Sequence, residues 1–219
     1  MIEEILPGEV VAVEARHDQP DVKLFPEEEL VLGNAVEKRR REFTTARACA
    51  RMALEKLGFQ AAPILTGERG EPLWPAGVVG SITHCDGYRA CAVARSSKTT
   101  TVGIDAEPNA ALPDGLLDDI ARPEELPLLR GLELDSTEVH WDRLLFSAKE
   151  SVYKAWFPLA KRWLGFEDAF IVLDPIDSTF TARLLVAGPT LADGPLRGFS
   201  GRWMMRNGIL VTAIVARSH

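Results

Sequence analysis

The stretch VGIDAEP, residues 102–108, runs from apolar positions into two carboxylates, Asp105 and Glu107, and stops at a proline. Val and Ile favour extended backbone. In a strand, alternate side chains share a face, so Asp105 and Glu107 project the same way, a few ångströms apart. Carboxylates so placed repel each other unless a cation stands between them or the strand end is solvated, and spacing alone leaves both readings open. FSAKESVYKAW, residues 146–156, adds Glu150, Lys149 and Lys154 at helical spacing. Glu150 and Lys154, at i and i+4, match the favoured order of an exposed helical ion pair, worth about 0.3–0.5 kcal/mol. Ser147 and Glu150 also fit the S-x-x-E capping box. However, HWDRLL (140–145) is already amphipathic, with Trp141, Leu144 and Leu145 on one face, so that cap would fall inside a helix. If the helix crosses the strand end, Asp105, Glu107 and Glu150 converge. Hard oxygen ligands in that number suit Mg²⁺, which keeps several waters and shares its shell with phosphate. Lys154, one turn beyond Glu150, then faces the same phosphate.

The chain has 219 residues, enough for one large domain or two small ones, and its 46% hydrophobic and 26% charged content supports a buried core. A net charge of −7 argues against general nucleic-acid binding. Lys38, Arg39, Arg40, Arg41, Arg47 and Arg51 nevertheless form a local basic face able to hold a small polyanion. Cys49, Cys85 and Cys91 show no CxxC spacing and fit a reducing cytoplasm. No basic, apolar leader opens the sequence and no run approaches a membrane span, so the expectation is a soluble, cytoplasmic protein.

EVVAVEAR (9–16) reads as a strand and DVKLFPEEELVLG (21–33) as a short helix entered through a proline. Residues 35–58 carry the strongest helix signal, closed by Gly58. Phe43, Ala46, Ala50, Leu54 and Leu57 mark its buried stripe, with Arg40, Arg47 and Arg51 in line beside it. GERGEPLWPAG (67–77) is a loop, and VVGSITHCDGYRACAVAR (78–95) a hairpin turning at Asp-Gly. Residues 108–137 read as loop with short helical pieces. Residues 139–158 predict a second long helix stopped by Pro158. FEDAFIVLD, TFTARLLV, GFSGRWMMR and GILVTAIVA then predict an antiparallel meander. Strand, helix and hairpin followed by helix and strands suggests an α+β protein of two similar halves, 1–101 and 102–219, joined near Thr101.

GSITHCDGYRACAV (80–93), VGIDAEP and FSAKESVYKAWFPLAKRWLGFEDA (146–169), in this order and separation, resemble the three motifs of the 4'-phosphopantetheinyl transferase superfamily. The likeness is to its Sfp-like, enterobactin-type and actinobacterial branch, and spans roughly residues 35–170 plus the final strand. It implies the 4'-phosphopantetheinyl transferase fold, a monomeric pseudo-dimer of two α+β halves, each a long helix on a small antiparallel sheet. Coenzyme A is expected in the cleft between them. The implied reaction moves the phosphopantetheine arm of coenzyme A onto a serine of apo acyl or peptidyl carrier proteins and releases adenosine 3',5'-bisphosphate. By position, Asp105, Glu107 and Glu150 match the ligands of Mg²⁺, with Mn²⁺ as substitute, and Glu150 and Lys154 are the expected catalytic pair. Arg39, Arg47 and His84 match the grip on the nucleotide phosphates. Arg69, Thr83, Asp105, Lys149, Tyr153 and Lys154 complete the expected coenzyme A contacts.

Two departures stand out. Glu71 occupies a loop position where relatives carry lysine, so Arg69 replaces that lysine or the loop works through its backbone. The segment after Lys154 is longer and more aromatic than the usual Gly-rich turn. Trp156, Phe157, Trp163, Leu164 and Phe166 read either as core, the reading that suits Trp163 and Phe166, or in part as a patch beside Lys161 and Arg162 for an acidic carrier helix. Two other functions compete: a metal-dependent phosphodiesterase or nuclease, which needs a fourth carboxylate and a nucleic-acid face, and an inactive carrier-binding protein. Neither membrane nor nucleic acid is an expected partner.

Overall fold

The computed structural model describes residues 1–218. In the first part, β1 (Val11–Ala15), α1 (Pro26–Leu32), α2 (Glu37–Lys56), β2 (Val78–Cys85) and β3 (Tyr88–Arg95) follow in order. β4 (Thr99–Pro108), α3 (Leu116–Ile120), α4 (Leu126–Asp135) and α5 (Trp141–Ala160) come next. The chain finishes with β5 (Ala169–Asp174), β6 (Thr179–Leu184), β7 (Thr190–Leu191), β8 (Gly194–Pro195), β9 (Gly198–Arg206) and β10 (Ile209–Arg217). One antiparallel sheet has order β1-β3-β2, the other β4-β10-β9-β6-β5, and β7 and β8 form a small ribbon. The expected α+β architecture and terminal meander are both present. Thr101, the expected joint, lies inside β4, whose ladder is with β10.

α2 lays Cys49, Ala50, Ala53 and Leu54 on Val13, Cys91 and Val93 of the first sheet. α5 lays Leu144, Leu145, Ala148, Val152 and Ala155 on Ile171, Phe180, Leu210 and Ile214 of the second. A third cluster joins the sheets: Ala90, Ala92 and Ala94 meet Val102, Ile104 and Ala106. Small side chains let these strands lie close. After α2, Gly58 adopts φ +89° and donates to the Glu55 carbonyl, the left-handed stop that a side chain would strain. Gly87 does similar work at φ +72° in the turn between β2 and β3.

α5 begins where its amphipathic start was expected and departs from expectation at its end. Ser147 is buried in mid-helix, bonded to Thr212 at 3.0 Å, so it is no cap. The helix also continues past Pro158 to Ala160 and ends where Lys161 turns left-handed at φ 49°. Proline removes one hydrogen bond, to the Lys154 carbonyl, and the packed apolar face outweighs that loss.

β4 sets the position of α5. Thr101 donates to the Ala155 carbonyl at 2.8 Å, and a Cβ on Gly103 would stand 2.7 Å from Ala155 N and 2.9 Å from Ala155 Cβ. Only glycine lets the helix backbone rest on the strand here. Gly103→Ala is therefore expected to cost about 1–3 kcal/mol. Because α5 must then lift off β4, transfer activity should fall more than a melting-point loss of that size explains. Thermal melts beside an activity assay check both.

Candidate active site

β2 and β4 run side by side without a shared backbone ladder, and hydroxyls fill the seam. Ser81 Oγ accepts from Ile104 N at 3.1 Å, and Thr83 Oγ1 accepts from Ala106 N at 2.9 Å. Thr83 in turn donates to Asp105 Oδ1 at 3.2 Å. From the same side as Gly103 comes α5, and Lys154 Nζ reaches the same oxygen at 2.7 Å. Asp105 is only 4% exposed, and its second oxygen, Oδ2, is buried with no hydrogen-bond partner among the described residues.

Glu107, two residues along the strand, is held by Arg143 of α5 at 3.1 Å. Arg143 spends its other nitrogens on the carbonyls of Ala110 (3.0 Å) and Ala111 (2.9 Å). Burial, and then the charge of Asp105, push the Glu107 carboxyl up to about 7, against the pull of Arg143. Glu150 is raised by the same two causes, and Lys154 opposes them. The helical Glu150–Lys154 ion pair that the spacing also allowed does not form, because Lys154 reaches across to the strand. Among the described residues Glu150 has no ion-pair partner.

Glu107 and Glu150 each feel the charge of Asp105, yet among the described residues no group of three or more His, Cys, Asp or Glu stands at metal-binding spacing. The three carboxylates stand as an open array: Asp105 on Lys154, Glu107 on Arg143, Glu150 between them along the helix. Asp105 and Glu107 each take a protein cation, and among the described residues Glu150 takes none.

A cavity of about 510 Å³ opens beside this array, bounded by Arg69, Glu150, Tyr153, Lys154 and Phe157. Next to it, sharing Gly70, Pro72 and Ile82, lies a pocket of about 260 Å³ lined by Arg39, Phe43, Arg47, Thr66 and His84. Arg47 is buried over the Phe43 ring at 4.3 Å and bonds Thr66 at 3.1 Å, leaving Nε unpartnered among the described residues. Burial lowers its pKa to about 10, so it stays cationic at neutral pH. His84 Nε2 lies 2.7 Å from Arg39 Nη1. Arg40 and Arg51, in the same line on α2, are committed elsewhere, to Glu29 and to the fully buried Glu28.

Two expected coenzyme A contacts are corrected. Thr83 is 2% exposed and its hydroxyl is already used to orient Asp105, so it positions the site rather than touching a ligand. Lys149 points away: its ammonium binds Glu125 (2.9 Å) and the carbonyls of Phe166 (2.7 Å) and Ala169 (2.9 Å), which uses all three donors. Tyr153 does border the main cavity, its buried hydroxyl unpartnered among the described residues. Arg69 borders it too. Glu71 folds inward to accept from Arg69 N at 3.0 Å, so it is a bond of the loop itself and leaves Arg69 as the loop's cation at the cavity. Trp163, expected in the core, is 63% exposed and stacks against Tyr153 at 4.9 Å. Sequence reading missed Arg143, although Arg143, Ser147, Glu150 and Lys154 follow at steps of four, three and four and share one face of α5.

Residues 26–94 match the model of the 4'-phosphopantetheinyl transferase N-terminal domain, and residues 101–193 that of the 4'-phosphopantetheinyl transferase superfamily. The chain is 52% identical over 217 residues to 4'-phosphopantetheinyl transferase Svp of Streptomyces mobaraensis, covering 98% of this chain and 88% of that one. It is 50% identical over 222 residues to 4'-phosphopantetheinyl transferase Npt of Nocardia iowensis, covering 98% and 99%. Enterobactin synthase component D of Escherichia coli (strain K12) is 36% identical over 126 residues, 57% of this chain and 58% of that one. The chain belongs to the 4'-phosphopantetheinyl transferase superfamily.

Proposed function

We infer that the chain transfers the 4'-phosphopantetheine group of coenzyme A to a serine of apo carrier proteins, releasing adenosine 3',5'-bisphosphate. Close relatives over nearly the full length carry the name of that activity. The observation that carries the site assignment is Asp105, a buried carboxylate unpartnered at one oxygen and bonded at the other to Lys154, which lines the larger cavity.

The apolar walls of the larger cavity, Leu73, Trp74, Val79 and Phe157 among them, suit the pantetheine arm. Arg39, Arg47 and His84 suit the phosphates of the nucleotide, guanidinium forks matching phosphate oxygens. The diphosphate then lies at Lys154. A divalent cation fits the array, because an orphaned Asp105 oxygen and a Glu150 carboxylate without an ion-pair partner are surplus hard anions. Asp105, Glu107 and Glu150 would hold Mg²⁺ or Mn²⁺, which would neutralise the diphosphate. Lys154 supports the same charge as the serine oxygen displaces adenosine bisphosphate from phosphorus. Serine must lose its proton, and Glu150, without an ion-pair partner of its own, is the acceptor we assign. Lys161 at the edge of the cavity and the exposed Arg162 and Trp163 that follow it offer an apolar and cationic landing for an acidic carrier helix. Both parts of the chain wall the cavity, so one copy suffices, and unpaired cysteines suit the cytoplasm. No helix among the described residues is long and apolar enough to cross a membrane.

Purified protein, coenzyme A, Mg²⁺ and an apo carrier protein should yield a carrier heavier by one phosphopantetheine arm in mass spectrometry. Chelation of Mg²⁺ should stop the labelling and its return restore it. An unlabelled carrier, with an authentic transferase succeeding in parallel, would remove the assignment.

A further inference from the structure

We propose that Glu42 is a positioning residue that couples capture of a nucleotide phosphate at His84 to the uptake of a proton. The inference rests on the reading of Arg39 and His84 as phosphate contacts. Arg39 Nη1 stands 2.7 Å from His84 Nε2. A guanidinium has donors only, so Nε2 accepts and the single proton of the neutral ring sits on Nδ1. Nδ1 faces Glu42 Oε2 at 3.9 Å. Glu42 is itself held: it is 9% exposed, and its other oxygen lies 3.8 Å from Arg89, which is 2.9 Å from Asp18 and bonds the Cys85 carbonyl at 3.2 Å.

A phosphate oxygen only accepts, so His84 needs a proton on Nε2 to bind one. Moving the existing proton from Nδ1 would leave a lone pair facing the Glu42 carboxylate. Adding a proton from solvent keeps Nδ1–H toward Glu42, places Nε2–H on the phosphate, and frees Arg39 to donate to that phosphate as well. Glu42 excludes the first route by repulsion and favours the second. The charged groups around the ring are Arg39 and Glu42 of α2, Arg89 of β3 and Lys154 of α5. In the free protein, burial and Arg39 hold the imidazole below its ordinary pKa, Glu42 pulling the other way. The ring therefore starts neutral, and its second proton comes from solvent.

Calorimetric titration of coenzyme A into the full-length protein near pH 8, in buffers of differing ionisation enthalpy, counts the protons. Wild type should take up about one proton per site. Glu42→Gln should take up close to none and bind about tenfold more weakly, whereas Glu42→Asp, which keeps the charge, should restore uptake. No uptake by wild type, or equal uptake by Glu42→Gln, overturns the proposal. His84→Gln binding coenzyme A as tightly as wild type would instead remove the phosphate reading beneath it. In the unaltered protein, nitrogen NMR of His84 should change from Nδ1–H neutral to doubly protonated on saturation. A neutral Nε2–H ring in the complex overturns the proposal whether or not any variant folds.

Discussion

Asp105→Asn should lower the turnover of phosphopantetheine transfer by about 10²–10³-fold while leaving the melting temperature unchanged or slightly higher. The amide is the same size as the carboxylate, Thr83 can still donate to its oxygen, and the bond from Ala106 N to Thr83 is untouched. What disappears is charge. Asp105 anchors Lys154 at 2.7 Å and contributes to the raised pKa of both Glu107 and Glu150. Without it Lys154 loses its aim and the proposed divalent site loses its central anion. The repulsion of buried Asp105 against the half-buried Glu107 and Glu150 is relieved at the same time, so the fold gains where the chemistry loses. Coenzyme A should still bind within about tenfold, because Arg39, Arg47 and His84 are unchanged. Mass-spectrometric labelling rates, thermal melts and calorimetry on one preparation test all three statements. A variant with wild-type turnover would show that Asp105 is not at the reacting centre.

The largest stability effect is expected at Glu125, which no reading of the sequence singled out. Its carboxylate is 1% exposed and accepts from Lys149 (2.9 Å), Arg122 N (2.7 Å) and Ile171 N (2.6 Å). It ties the start of α4 to β5 and to α5 behind the catalytic face. Glu125→Ala leaves the Lys149 ammonium buried and unpaired, at an expected loss of about 3–5 kcal/mol, or about 6–20 °C in Tm. Removing both charges with Glu125→Gln and Lys149→Met should recover much of the loss, since a buried ion pair returns little beyond its own desolvation. Lys149→Met alone separates two roles for this residue. A structural lysine lowers Tm and leaves the KM for coenzyme A unchanged, and a raised KM with an intact melt would return Lys149 to the binding site.

Legibility followed the range of the interactions. Asp105 and Glu107 share a face because a strand alternates, and Glu150 and Lys154 share one because a helix turns every 3.6 residues. Those are local facts, and the motifs stated them. The partners were not legible at the same level. Lys154 was expected at the phosphate, and that it also bonds Asp105, 49 positions away in sequence, was not foreseen. Lys149, next to Glu150, was expected at the ligand, yet one residue along a helix is a rotation of about 100°. That rotation carries it to Glu125 on the far side. Thr83 was expected at coenzyme A from the resemblance, yet its hydroxyl closes the β2–β4 seam, a contact no local pattern announces.

By itself the sequence determined the α+β class, the two long helices, the Asp-Gly hairpin, the terminal meander and the family, since each depends on periodicity, turn chemistry or motif order within short spans. Tertiary structure alone decided which cation meets which carboxylate, which of the expected contacts face the cavity, and that Trp163 stands in solvent. Those outcomes depend on how closely α5 rests on β4, and that closeness comes from a missing side chain at Gly103 and a hydroxyl at Thr101, whose meaning exists only once the two elements are packed together.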